Sequence, residues 1–216
     1  VEEAVAEVTD GQRVLIHGAS GAVGTALAQL GRVAGLEMYG TASTSKQDYV
    51  RALGVTPIDY RTEDFVARVM EETDGDGVDV VFDAIGVDNF GRSYSVLSPG
   101  GLLLKYGLYK ASLEESSMFG LGREFLKTLW QQKKWDWFPE DDKRTTFYSI
   151  QDVREQHPDW FREDLAALFR LALEGSVEPE VWRRMPLREA AAAHRMIEAG
   201  EVRGKIVLEV SPDFSP

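Results

Sequence analysis

Arg13-Val14-Leu15-Ile16-His17-Gly18-Ala19-Ser20-Gly21-Ala22-Val23-Gly24, continued by Thr25 to Ala34 and Gly35, is the stretch that decides the fold. Its first five residues are a β-branched and apolar run bounded by Asp10-Gly11, which predicts a strand. Thr25 to Ala34 carries Leu27, Leu30, Val33 and Ala34 at helical spacing, and Gly35 supplies the left-handed cap that ends such a helix. Between them lies Gly18-x-x-Gly21-x-x-Gly24, with Ser20 at the middle position of a G-x-G-x-x-G pattern. The turn can face backbone N–H groups toward a pyrophosphate at the amino end of the helix, where the helix dipole favours an anion. Gly24 permits close packing of helix on strand. The bland alternative is a glycine-rich turn that binds nothing; a strand before it and a helix after it favour dinucleotide binding.

The same rhythm continues along the chain. Met38 to Ala42, Thr56 to Tyr60, Val78 to Asp83, Leu102 to Tyr106 and Thr145 to Ile150 read as strands. Lys46 to Leu53, Glu63 to Glu72 and Asn89 to Leu97 read as the intervening helices, and Pro99-Gly100-Gly101 as a turn. Val78 to Asp83 is almost wholly apolar at its centre, as strands covered on both faces are. Strands alternating with crossover helices predict an α/β fold, a doubly wound parallel six-stranded sheet. Two regions break the rhythm. Residues 109–144 form a long excursion, with a helix expected over Gly122 to Gln132 and a tryptophan-rich stretch from Trp130 to Phe138. The tail holds a short run at Val181-Trp182, a helix over Leu187 to Ala199 and a strand over Lys205 to Val210. The division is therefore 1–175 for the sheet domain and 176–216 for the C-terminal segment.

Composition narrows the function. Of 216 residues, 44% are apolar, which excludes wholesale disorder. Lys plus Arg number 24 against 36 Asp plus Glu, a net charge of −12, which argues against nucleic acid as a partner. There is no cysteine, hence no disulfide, thiol nucleophile or iron–sulfur site. No apolar stretch reaches the ~18–20 residues of a membrane span, and no basic n-region precedes an apolar one. A soluble, cytoplasmic protein is expected, and a start at Val1 reads as an excerpt of something longer.

Cofactor choice is read at the end of the second strand. A fold that prefers NAD places Asp or Glu there, ~20 residues past the glycine turn, for the ribose 2′-hydroxyl. The count lands on Thr41-Ala42-Ser43, which holds no acid; Ser43, Thr44, Ser45 and Lys46 suit a 2′-phosphate instead. Asp48 stands nearby and tempers this. NADP(H) is expected over NAD.

Several segments in register resemble the medium-chain dehydrogenase/reductase superfamily, in its quinone oxidoreductase-like branch. They are Val14 to Gly24, Gly40 to Ser43, Ala52-Leu53-Gly54, Ile58 to Arg61, Gly77 to Asp83, Leu97 to Gly101, Pro186 to Ala191 with Ala193-His194, and Gly204 to Leu208. The resemblance spans nearly the whole chain except residues 109–144. It implies that Lys46 and Tyr60 hold the 2′-phosphate, and that Ala84-Ile85-Gly86 and Tyr106-Gly107-Leu108 line the ribose and nicotinamide. With Ser20, Gly21, Ala22, Val23, Gly24 and Ser43 these make up the candidate cofactor residues. It further implies an absent amino-terminal barrel-like domain to which the 176–216 tail would return, catalysis without a metal, and a homodimer through the edge near Thr145 to Ile150. The expected reaction is hydride transfer from NADPH to a quinone or an α,β-unsaturated carbonyl compound, with no acid–base residue in this chain. A zinc-dependent alcohol dehydrogenase parent and a non-catalytic dinucleotide sensor stay open as alternatives.

Three features tempt. Tyr106-x-x-x-Lys110 spells the catalytic pair of short-chain dehydrogenases, but it follows a strand and contains a glycine, so chance explains it better. His17, His157 and His194 lack ligand-like spacing. Trp130 to Phe138 suits a lid or a subunit contact better than a membrane surface, since Glu140-Asp141-Asp142 would repel anionic lipid.

Overall fold

Alternation along the strands sorts the core into two faces. In the computed structural model, which describes residues 8–107 and 140–210 together with Leu126, Trp130 and Trp135, β1 (Arg13–Ile16) sends Leu15 to one side and Val14 and Ile16 to the other. Leu15 joins Tyr39, Ile58, Val81, Phe90 and Leu103 in one cluster; Val14 and Ile16 join Ala28, Met38, Val80, Leu102 and Leu104 in the second.

Around β1 the chain lays down α1 (Ala22–Val33), β2 (Glu37–Ala42), α2 (Gln47–Ala52), β3 (Thr56–Asp59), α3 (Phe65–Glu72), β4 (Val78–Asp83), α4 (Val87–Ser95), β5 (Leu97–Lys105) and β6 (Arg144–Phe147). All six strands are parallel, in the order β3-β2-β1-β4-β5-β6. This is the Rossmann-like sheet the sequence predicts. The order reverses direction between β1 and β4, and a crevice at the carboxyl ends of strands at such a switch point is where open α/β sheets bind ligands.

Differences from the sequence reading have local causes. Helix α1 starts at Ala22 rather than Thr25, because extended Gly21 (φ −82°, ψ 177°) already serves as its N-cap. The turn expected at Pro99 to Gly101 lies inside β5, which absorbs it as a register shift against β4. The sixth strand ends at Phe147 rather than Ile150. Ser149 accepts from the Asp152 N–H at 3.3 Å and starts α5 (Ile150–Gln156), and Pro158 at the first position starts α6 (Pro158–Leu173). Neither helix is part of the sequence reading.

The helix expected over 122–132 lies outside the described residues, apart from Leu126 and Trp130, which are helical. Trp135 is buried and stacks on Tyr94 at 4.7 Å, so one tryptophan of that stretch packs into the core rather than on a surface. In the tail, β7 (Val181–Pro186) and β8 (Lys205–Glu209) pair in parallel across α7 (Ala190–Glu198). The strand expected over two residues at Val181 thus extends to Pro186.

Candidate functional site

The glycine turn is folded by contacts that only small residues permit. Beyond β1, His17 N–H donates to Phe82 O, Ala19 N–H to Thr41 O and Gly21 N–H to Gly18 O, so the turn is pinned to both neighbouring strands. Gly18 takes a left-handed φ of 67°. A Cβ on Gly24 would stand 2.3 Å from Gly18 O and 2.7 Å from Ala19 Cα, both backbone atoms that cannot yield. The first helical turn, Ala22, Val23 and Gly24, presents N–H groups that have no partner carbonyl within the helix. Those groups, with the dipole behind them, form a cradle suited to a pyrophosphate.

Past the carboxyl ends of β2 and β3, Tyr60 N–H donates to Ala42 O at 3.3 Å, which sets Tyr60 beside the end of β2 with its ring half exposed. Ser43 is buried, and its carbonyl accepts from the Lys46 N–H at 2.9 Å. The Lys46 ammonium donates to Val202 O at 2.6 Å. Burial, and then the nearby Arg61 guanidinium, push its pKa below the ordinary lysine value. Lys46 and Arg61 therefore concentrate positive charge where the sequence predicts a phosphate. Asp59, which ends β3, is engaged by Thr44, Arg61 and Thr62, and those hydrogen bonds, Thr44 foremost, hold its pKa below the usual carboxylate range.

Ala84-Ile85-Gly86 and Tyr106-Gly107 face one another across the ends of β4 and β5. Ile85 N–H donates to Asp83 Oδ1 at 2.7 Å, and Tyr106 N–H to Asp83 O at 3.0 Å. A Cβ on Gly107 would lie 3.1 Å from Ala84 Cβ, so the two loops nearly touch. Leu108 lies outside the described residues, as does Lys110. Burial, then the Asp83 charge, push the Tyr106 phenol up to about 12, the opposite of what a catalytic tyrosine needs. Tyr106 and Val23 also line a cavity of about 950 Å³, bounded by Phe147, Tyr148 and Trp160 and open on the α1 face of the sheet.

The structure thus gathers the predicted residues that it describes into two groups past the carboxyl ends of the strands. The glycine turn with the loops after β4 and β5 makes one, and Ser43, Lys46 and Tyr60 make the other. The sequence reading missed Arg61 as a charge beside Lys46 and missed the contacts the tail makes with the glycine turn. Gly204 N–H donates to Ser20 O at 2.9 Å and Lys205 Nζ to Ala22 O at 3.4 Å, so the tail is docked on the glycine turn. Gln29 exchanges two hydrogen bonds with the backbone of Glu178. The adjacent Gly204-Lys205 motif was visible in sequence, but its partner was not. Of the histidines, His17 is buried with both ring nitrogens bonded, His157 stacks on Trp160 at 3.7 Å, and His194 is exposed. Among the described residues no group of three His, Asp or Glu side chains is placed to hold a metal.

Residues 53–208 match the family described as zinc-binding dehydrogenase. The chain belongs to this family. Within it, the chain corresponds to the cofactor-binding part of medium-chain dehydrogenases/reductases of the quinone oxidoreductase and enoyl reductase kind. The crystal structure of CurK enoyl reductase superposes with a TM-score of 0.76 at 27% identity, over 97% of this chain and 57% of that one. The Escherichia coli quinone oxidoreductase complexed with NADPH gives 0.73 at 26% identity, over 95% of this chain and 61% of that one. The 2-haloacrylate reductase of Burkholderia sp. is 31% identical over 205 residues, which is 94% of this chain and 56% of the relative. The chain therefore spans little more than half the length of these relatives.

Proposed function

We propose that this chain is the NADP(H)-binding part of an oxidoreductase that passes hydride from NADPH to a carbon–carbon double bond conjugated to a carbonyl, or to a quinone. The observation that carries the cofactor choice is the Lys46–Arg61 charge pair beside the end of β2, where an NAD-preferring site needs a carboxylate. When bound, the dinucleotide supplies the hydride. The first-turn N–H groups of α1 bind the pyrophosphate, and Lys46, Arg61 and Tyr60 hold the 2′-phosphate. Ala84 to Gly86 with Tyr106 and Gly107 orient the nicotinamide half. No side chain of this site is asked to move a proton: the hydride adds to one end of the conjugated group, and the proton that completes the reduction comes from water.

The acceptor class is supported by the relatives' names: an enoyl reductase, a 2-haloacrylate reductase and a quinone oxidoreductase all denote electron-poor conjugated groups. The test is loss of NADPH absorbance when the protein carrying this chain meets an enoyl thioester, a 2-haloacrylate or a naphthoquinone. Turnover with at least one of these is expected; NADPH binding without turnover of any would favour a dinucleotide sensor. Metal analysis of the same preparation separates the zinc-dependent alternative. The position of β6 at the sheet edge, with Phe147 half exposed, supports a homodimer through that strand, which sedimentation would test.

A further inference from the structure

Between the two cofactor loops runs a buried hydrogen-bond chain that the hydride-transfer reading does not use. Gly18 N–H donates to Thr41 Oγ1 at 3.1 Å, Thr41 Oγ1 meets His17 Nδ1 at 3.1 Å, and His17 Nε2 meets Ser93 Oγ at 3.0 Å. The Ser93 hydroxyl donates to Asp83 Oδ2 at 2.7 Å, and Asp83 Oδ1 accepts the Ile85 N–H at 2.7 Å. Asn89 Nδ2 donates both to Asp83 Oδ2 and to Ser93 Oγ. His17, Thr41, Ser93 and Asp83 are all buried, so none of these groups can substitute water for a lost partner.

The donor count fixes the direction. Ser93 has one hydroxyl proton and gives it to Asp83, so toward His17 it can only accept, and Nε2 carries the proton. Burial foremost, with the Arg92 charge beside it, lowers the His17 pKa against the opposing pull of Asp83, so the ring is neutral and Nδ1 is bare. Nδ1 then accepts the Thr41 hydroxyl proton, which leaves Thr41 Oγ1 free to accept from Gly18. Every link has one donor and one acceptor. The opposite tautomer would set two acceptors face to face at Ser93.

We infer that His17 is a positioning residue: as the Nε2–H tautomer it ties the glycine turn at Gly18 to the loop at Ile85, and so sets the spacing of the two walls that hold the dinucleotide. The dinucleotide half of this statement rests on the proposed function. The linkage itself does not. Phe65, edge-on to the imidazole at 4.8 Å, and Arg92, over the Phe65 ring at 4.4 Å, close the remaining side and hold the ring plane.

Long-range proton–nitrogen spectra of the ¹⁵N-labelled wild-type protein come first and need no variant. They should show a protonated His17 Nε2 and a bare Nδ1; the reverse assignment overturns the inference. In backbone amide spectra, Thr41→Val should then move the Ile85 resonance and Ser93→Ala the Gly18 resonance, while Thr41→Ser restores Ile85 to its wild-type position. Shifts confined to each variant's own loop overturn the linkage. In NADPH titrations each variant should weaken binding about fivefold, and the Thr41→Val/Ser93→Ala pair by no more than the worse single variant. Multiplying effects, or none, would overturn the claim that the linkage serves the cofactor. Wild-type protein that binds no NADPH would refute the proposed function while the spectra still decide the linkage.

Discussion

The Lys46 ammonium donates to the carbonyl of Val202 at 2.6 Å, joining the loop after β2 to a tail segment 156 residues further on. With Gly204 on Ser20 and Lys205 on Ala22, this contact docks the tail on both the glycine turn and the loop after β2. An ammonium has three donors, so holding Val202 leaves Lys46 two for a phosphate.

Lys46→Ala removes the point charge at that position. NADPH binding should weaken by about tenfold, or ~1.4 kcal/mol, with NADH affected less than about twofold. Parallel titrations of wild type and variant measure this, and an equal loss for both nucleotides would refute the phosphate assignment.

Gly24→Ala sets two magnitudes against each other. Alanine gains up to about 1 kcal/mol of helix propensity over glycine. Overpacking costs about 1–3 kcal/mol, and here the obstructing atoms are Gly18 O and Ala19 Cα, which are backbone. A net loss of stability is expected, seen as a lower urea midpoint at an unchanged slope. Gly31→Ala meets the flexible Met38 thioether instead and should cost less.

The lowered pKa of His17 gives stability a signed pH dependence. Above the unfolded imidazole value of about 6.5 both states are neutral and His17 contributes no slope. Below it the unfolded chain takes up a proton the folded one refuses, so stability falls by at most about 1.4 kcal/mol per pH unit until the folded pKa is reached. Asp59 and Asp64, whose pKa values are also lowered, act only below about 3.9. Urea unfolding between about pH 6.5 and 4.5 should therefore show a slope that His17→Gln flattens. An unchanged slope in that variant would rule out a buried neutral imidazole.

Tyr106→Phe should leave the pH profile of the proposed hydride transfer in place. Its phenol is pushed up to about 12 and sits past the end of β5 rather than on a helix. A lost alkaline limb in the variant's profile would show instead that the phenol titrates in catalysis.

The sheet was legible because its signals are local. The run Val14 to His17, the glycines behind it and the apolar centre of β4 each sit within a dozen residues, and pairing only had to accept them. Helix α6 was legible in principle, with Pro158 at its first position, Asp159 in its first turn and Arg170 in its last. Its apolar residues are poorly covered, Leu173 being 89% exposed, so the buried stripe that usually marks a helix is faint. Phe147 to Ile150 has strand-like residues, yet pairing with β5 stops at Phe147 and the Ser149 cap takes over. The tail contacts were not legible. Nothing local couples Gln29 to Glu178, 149 residues apart, and a backbone carbonyl such as that of Val202 leaves no mark on residue type. The same holds for the His17 chain, whose members come from β2, β4, α4 and the glycine turn.

The measurement that bears most directly on the central claim is a pair of titrations of the wild-type chain with NADPH and with NADH, followed by tryptophan fluorescence. Binding of NADPH tighter by about tenfold, ~1.4 kcal/mol, is the predicted result. Equal affinity, or preference for NADH, would leave the fold standing and contradict the assignment of Lys46, Arg61 and Tyr60 to a 2′-phosphate.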